Sequence, residues 1–398
     1  MRAIIKRSKA KGKVFAPPSK SMAHRLLVGA ALSGERAVIS NIAYSKDIEA
    51  TLNCLKALGA EFITEGDKVT FSGGINPKDG ALLYCNESGS TLRFMIPICL
   101  LFEKEIELIG SERLFSRPLS VYENICRENG FEYKKEGNKI KLKGKLSPGD
   151  YILPGDISSQ FITGLMLALS TLEKPSRIIL STELKSEPYV LMTIASLEKF
   201  GIKTEKQDNA FVIIPKKRNG GEFSVEGDWS NAAFSDVFNL IGGEVYTDGL
   251  DENSLQGDKV YKDYFEKLKN GCPTLPIDNC PELGPVLISA AAMLNGARLT
   301  GTNRLKIKES DRGNAMKEEL KKLGAEIIIG DDFIEVPKCE FKPSLEPLFG
   351  HNDHRIVMSL VPVLSLIGGE IEGAEAVNKS YPDYWEMAKK LGIEVDLI

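Results

Sequence analysis

The chain has 398 residues, with 51 Lys plus Arg against 55 Asp plus Glu and a formal charge of −4. That balance excludes a general nucleic-acid binder and a basic membrane-surface protein, so any cationic site must be local. The length exceeds the size at which one hydrophobic core usually stops growing, which predicts two domains.

Met1-Arg2-Ala3-Ile4-Ile5-Lys6 reads as a first strand; its apolar part is too short for a signal peptide, and no cleavage site follows. Pro17-Pro18-Ser19-Lys20-Ser21-Met22-Ala23-His24-Arg25 then leads into an apolar run over residues 26–32. Prolines stiffen the loop, Ser19 or Ser21 can cap, and Lys20 and Arg25 lie at or near a helix start, where free N–H groups favour an anion. His24 is given no role. Asn86-Glu87-Ser88-Gly89-Ser90-Thr91-Leu92-Arg93 is a Gly- and hydroxyl-rich turn whose backbone amides could cradle an anion, although a plain turn explains it as well. Arg117 is a lone arginine ahead of a helix.

Ser158-Ser159-Gln160 places three neutral donors before the apolar helix predicted over residues 161–169, and Ser186-Glu187-Pro188-Tyr189 repeats the arrangement. Such donors suit a phosphate or sugar hydroxyls, yet ordinary capping accounts for either run. The apolar runs 94–102 and 357–367 each contain a proline and fall short of the roughly 20 residues of a membrane span, so they are predicted core segments. Lys216-Lys217-Arg218-Asn219-Gly220-Gly221 is the best domain boundary, followed by a helix capped near Asp228.

Beyond the boundary, Asp278-Asn279-Cys280-Pro281-Glu282-Leu283, Lys308-Glu309-Ser310-Asp311-Arg312, Asn352-Asp353-His354-Arg355 and Lys379-Ser380-Tyr381-Pro382-Asp383 each set a charge before an apolar helical run. The richest is the pentad at 308–312. Ser310 or Asp311 can cap its helix, Lys308 and Arg312 flank a place for a phosphate or carboxylate, and Glu309 is left for proton transfer. Cationic and polar helix starts in both halves of an acidic chain predict one polyanionic ligand clamped between two domains. The seven cysteines lack CxxC pairs and metal-ligand spacing, and read as reduced core thiols of a cytosolic protein.

Six amphipathic helices end on glycine, at Gly59, Gly130, Gly201, Gly271, Gly324 and Gly392, separated by 71, 71, 70, 53 and 68 residues. Glycine is the usual left-handed cap, and a period of about 70 is too long for the common solenoids, so the repeat predicts a multi-element α/β module. Three copies precede the boundary and three follow.

These runs, in this order, resemble the enolpyruvyl transferase family from Lys13 to Asp383. The resemblance implies an α/β fold: two inside-out α/β domains, each of three βαβαββ-type units, joined by a two-strand hinge. One domain would comprise residues 1–13 plus 228–398, on the phosphoenolpyruvate side, and the other residues 14–227, on the shikimate 3-phosphate side. The implied reaction moves the enolpyruvyl group of phosphoenolpyruvate to the 5-hydroxyl of shikimate 3-phosphate, releasing phosphate through a tetrahedral intermediate.

By motif match, Lys20, Ser21, Arg25, Ser158, Ser159, Gln160, Ser186, Tyr189, Glu282 and Lys308 would bind shikimate 3-phosphate. Lys20, Gly89, Arg117, Gln160, Arg312, Arg355 and Lys379 would meet phosphoenolpyruvate, and Lys20, Glu282 and Glu309 would share the proton transfers. Gly89 leaves room for glyphosate that an alanine would fill. The resemblance implies no cofactor or metal, small-molecule partners only, no nucleic acid or membrane, and a cytoplasmic monomer. The alternatives are the sister enzyme acting on UDP-N-acetylglucosamine, or a non-catalytic anion-binding protein on the same scaffold. Against the sister enzyme stand the Ser-Ser-Gln run and the lack of a cysteine in an arginine-flanked loop.

Overall fold

A helix enclosed by protein along most of its length must be largely apolar and must pair the polar groups it keeps, and six segments of this chain are enclosed in this way. In the computed structural model, which describes residues 1–398, they are the central helices Lys20–Ser33, Gly89–Cys99, Ser159–Leu169, Trp229–Asp236, Gly284–Met293 and His354–Ile367. Residues 22–31, 91–99 and 161–169 are buried without a break. The sheets lie outside them, with strands such as Lys139–Lys143 alternating buried and exposed positions, so the usual sheet-inside order is inverted. No helix is long and apolar enough to cross a membrane.

The chain divides into two units, Pro18–Glu226, inserted, and Met1–Pro17 with Gly227–Ile398, terminal. The crossings fall at 17–18 and 226–227, where the sequence reading put them at 13–14 and 227–228. The strand Lys11–Phe15 explains the first difference, because it pairs along its whole length with Glu244–Asp248 of the terminal unit. Lys216–Gly221, read as the domain boundary, lies within the inserted unit and is anchored there. Arg218 is buried and donates to the Gly29 and Leu167 carbonyls and to Ser170 Oγ, at the C-terminal ends of two central helices. A cation there complements the carbonyl end of the helix dipole.

Each unit closes its own core. The inserted unit has three four-stranded sheets of one design, a parallel pair followed by an antiparallel hairpin. Ala81–Tyr84 pairs parallel with Ile106–Ile109, which runs antiparallel to Lys139–Lys143 and that to Glu132–Glu136. The terminal unit has two such sheets and a third of only two strands, Glu244–Asp248 and Lys11–Phe15. The reduced copy corrects the expectation of three complete modules per domain. It also explains the single short spacing: after Gly271 the chain enters the next sheet at Thr274–Pro276, whereas after Gly59 it first makes the hairpin Phe62–Glu65 and Lys68–Phe71. Gly59, Gly130, Gly201, Gly324 and Gly392 have φ between 68° and 99°, the left-handed caps predicted; Gly271, at 156°, is nearly extended. All seven cysteines are free; Cys54, Cys85, Cys99, Cys126 and Cys280 are buried, but Cys272 is exposed and Cys339 half-buried, against the reading of all as core thiols.

Candidate active site

In the inserted unit the polar runs converge at the starts of central helices. Ser19 caps the Lys20–Ser33 helix by accepting from Met22 N, which leaves Lys20 in the first turn. Lys20 Nζ lies 2.7 Å from Asp47 Oδ2, both largely buried. Asp47 sits in the first turn of the Lys46–Ala57 helix, 27 residues away in sequence. Arg25 is 3% exposed. Its guanidinium donates to Thr193 Oγ1 at 2.9 Å, Thr163 Oγ1 at 3.3 Å, and the Ser21 and Tyr189 carbonyls at 2.6 and 2.9 Å. Every one of these acceptors is neutral, and burial pushes Arg25 down to about 10. His24 is buried beside it, with Nδ1 2.8 Å from Thr51 Oγ1. Burial, then Lys20 and Arg25, hold the His24 imidazole well below its usual range, so it is neutral and structural.

Ser88 caps the Gly89–Cys99 helix through Thr91 N, and Ser158 caps Ser159–Leu169 through Gln160 N. The two starts meet, since Gln160 Nε2 donates to Ser90 Oγ at 3.0 Å while Arg93 Nη1 donates to Gln160 Oε1 at 2.7 Å. Gly89 is pressed from the side by two guanidinium groups: a Cβ there would lie 2.8 Å from Arg117 Nη1 and 3.0 Å from Arg93 Nη1. Arg117 is therefore not the surface arginine its isolation suggested; it is 7% exposed. Ser186, matched to Ser158 in the sequence, makes no capping bond and stands buried at φ 56°, a strained left-handed position for serine.

In the terminal unit Asp311 is the cap, accepting from Asn314 N. Ser310 is thereby released to donate to Asp353 Oδ2 at 3.0 Å. Arg312, the first residue of the Arg312–Lys322 helix, is fully buried and meets three carboxylates: Glu282 at 2.6 Å, Glu309 at 2.7 Å and Asp353 at 2.9 Å. Glu282 reciprocates with three cations, as Lys308 Nζ and Arg355 Nε each also lie 2.7 Å from it. Arg355 Nη1 reaches Ser230 Oγ at 2.6 Å, and Lys379 Nζ the Asn352 carbonyl at 2.5 Å.

The pentad is thus neither an exposed turn nor an empty pair of cations. Three acids and three bases close on one another, and Glu309, read as left for proton transfer, is ion-paired. Burial would push the Glu282 carboxyl up, but Lys308, Arg312 and Arg355 outweigh it and hold the group well below the ordinary carboxylate range. Burial pushes Lys308 down to about 8 even with Glu282 in contact.

Asp47, Arg93, Thr163, Thr193 and Ser230 were not singled out as site residues from the sequence. Thr163 and Thr193 did carry a signal, a hydroxyl in an otherwise apolar helical run. Asp47 carried none that tied it to Lys20.

Solved EPSP synthase structures from Acinetobacter baumannii share this fold. Two of them superpose with TM-scores of 0.77 and 0.79 at 23% and 21% identity, each comparison covering 100% of this chain and 99–100% of the other. Residues 4–387 match the family described as EPSP synthase (3-phosphoshikimate 1-carboxyvinyltransferase), and the chain belongs to that family. Among curated relatives it is 40% identical to the 3-phosphoshikimate 1-carboxyvinyltransferase of Clostridium novyi, over 98% of this chain and 97% of that one. It is 39% identical to the enzyme of the same name from Clostridium perfringens, over 98% of each.

Proposed function

We propose that the chain transfers the enolpyruvyl group of phosphoenolpyruvate to the 5-hydroxyl of shikimate 3-phosphate, in the shikimate pathway to aromatic amino acids. The hydroxyl oxygen bonds to C2 of phosphoenolpyruvate as the methylene carbon takes up a proton, giving a tetrahedral adduct. Loss of a proton from the resulting methyl group and of inorganic phosphate then restores the double bond.

The observation that carries this reading is the convergence on Glu282 of Lys308 and Arg312, from one helix start, and Arg355, from another. A fixed carboxylate ringed by fixed cations can orient a substrate hydroxyl while the cations receive phosphate and carboxylate oxygens. Shikimate 3-phosphate falls to Ser21, Arg25, Ser158, Ser159, Gln160, Ser186 and Tyr189 with Lys308. Arg25 supports this, because a buried guanidinium with only neutral acceptors has charge to offer an anion. Phosphoenolpyruvate falls to Arg117, Arg312, Arg355 and Lys379, with Gly89 keeping Arg117 in place.

Lys20, Glu282 and Glu309 serve the proton transfers. An anion that takes over the guanidinium of Arg312 displaces Glu309 and frees it for the methylene carbon. The chain is further read as a cytoplasmic monomer: the buried thiols of Cys54, Cys85 and Cys99 suit a reducing compartment, and each unit closes its own core.

Phosphate release from purified protein, with each substrate omitted in turn and with Glu309→Gln alongside, tests the reaction. Release that needs both substrates and collapses in the variant supports it; binding of both without release transfers the case to a different acceptor or to a regulatory protein.

A further inference from the structure

His351 and Asn352 are consecutive non-glycine residues in the left-handed region, at φ 48° and 51°. They stand directly before Asp353, the cap of the His354–Ile367 helix. Asn and His tolerate this conformation better than most residues, but two in succession persist only where neighbouring contacts hold them. The contacts come from another helix. Glu319 lies seven residues beyond Arg312, two turns along the Arg312–Lys322 helix and on the same buried face.

The Glu319 carboxylate is nearly inaccessible, at 3% exposure, and its acceptor sites are filled. Oε2 accepts from Phe349 N at 2.8 Å and from Lys322 Nζ at 2.7 Å, and Oε1 lies 2.9 Å from His351 Nε2. The Phe349 ring packs on the imidazole with centroids 5.1 Å apart. Glu318 Oε2 is 4.0 Å from the same nitrogen but is exposed. Two carboxylates and a histidine this close resemble a cation site. A cation between Oε1 and Nε2 would break the Glu319–His351 bond that ties down the left-handed turn, so the group is better understood as a strap.

The strapped turn presents three parts of the ion cluster. The Asn352 carbonyl accepts from Lys379, Asp353 receives Arg312 and Ser310, and Arg355, in the first turn of the helix, faces Glu282. Helix Arg312–Lys322 is therefore joined to the start of helix His354–Ile367 twice, by Arg312–Asp353 at the site and by Glu319 with Phe349 and His351 two turns away. We propose that Glu319 and His351 are positioning residues, which lock the left-handed turn and so align Lys379, Arg312 and Arg355 for phosphoenolpyruvate. The assignment rests on the functional reading above.

Steady-state KM for each substrate, with Glu319→Gln and His351→Asn, tests it. Glutamine keeps the volume but loses the acceptor for Lys322 or Phe349; asparagine tolerates the left-handed backbone but is too short to reach Glu319, so the two variants fail for different reasons. KM for phosphoenolpyruvate is expected to rise about tenfold in each, with KM for shikimate 3-phosphate within about twofold of the parent. KM reads only folded, active molecules, so a lower yield or Tm does not imitate this split. Unchanged KM for both substrates, or an equal rise in both, would overturn the positioning role while leaving the reaction intact. A parent protein that released no phosphate from the two substrates would overturn the functional reading, and this role with it.

Discussion

Two buried arginines, one in each unit, live under opposite electrostatic conditions. Arg312 is enclosed by Glu282, Glu309 and Asp353. Arg25, equally withdrawn from water, finds threonine hydroxyls, backbone carbonyls and the Phe94 ring, but no carboxylate. The first belongs to a cluster whose formal charges cancel and which an incoming anion must open. The second is a standing surplus of positive charge that an anion completes. Arg25 is suited as a receptor that takes an anion without breaking an ion pair, whereas an anion that claims Arg312 must first displace one of its carboxylates.

The comparison is broken most severely by removing each arginine. Arg312→Met removes the cation shared by three carboxylates in a buried site and is expected to cost about 3–5 kcal/mol, along with activity. Both tryptophans, Trp229 and Trp385, are buried in the terminal unit, so their fluorescence in a urea titration follows that unit specifically. An unshifted midpoint would mean the carboxylates do not depend on Arg312.

Arg25→Met has the opposite sign for stability. It strands no partner charge, and Thr163 and Thr193 already bond each other at 2.8 Å, so Tm should hold or rise. Affinity for shikimate 3-phosphate should fall by roughly one hundredfold, the value of about 2–3 kcal/mol for a hydrogen-bonded charge. Calorimetric titration of the folded variant checks both halves. Retained affinity would remove Arg25 from the receptor.

Gly89→Ala sharpens the comparison within the inserted unit. The added methyl meets the mobile ends of Arg117 and Arg93 rather than backbone, so the fold should bear it while Arg117 shifts by a few tenths of an ångström. KM for phosphoenolpyruvate should rise severalfold to about tenfold, and glyphosate inhibition should weaken, with shikimate 3-phosphate little affected. Unchanged inhibition would sink the steric argument.

Much of this was legible from the sequence because it is local. The helix-Gly period revealed the repeated module, since a left-handed cap is written in one residue, and the motif runs marked most of the helix starts that converge. Partner identity was not legible. Nothing between Lys20 and Asp47 announces that they touch, and the pentad reads as two cations beside two acids until Asp353 and Glu282 arrive from other helices to close the cluster. The two-stranded sheet was visible only as a short spacing of 53 residues, which has no meaning until the missing hairpin is seen. Burial was the largest omission: local sequence leaves Arg117 and Arg312 on the surface, and only the fold encloses them.

The smallest expected effect concerns Lys308, where affinity and stability should move in opposite directions with pH. Burial places its pKa at about 8, below the value of roughly 10.4 for a lysine in an unfolded chain. The unfolded chain therefore holds the proton more tightly, and keeping Lys308 charged in the fold carries a stability penalty below about pH 8. That penalty disappears as pH rises from about 8 towards 10.4, so the Lys308 contribution to stability increases there. Binding runs the other way, because the neutral amine no longer pairs with Glu282 and offers no charge to the substrate phosphate. KM for shikimate 3-phosphate should thus rise severalfold between about pH 7 and 9, a slope that Lys308→Arg, which does not titrate in this range, should flatten. Arg312 and Arg355 hold Glu282 ionised throughout, so kcat should vary less than KM. A flat KM in the parent, or the same slope in Lys308→Arg, would assign the pH dependence to another group and leave Lys308 a purely structural member of the cluster.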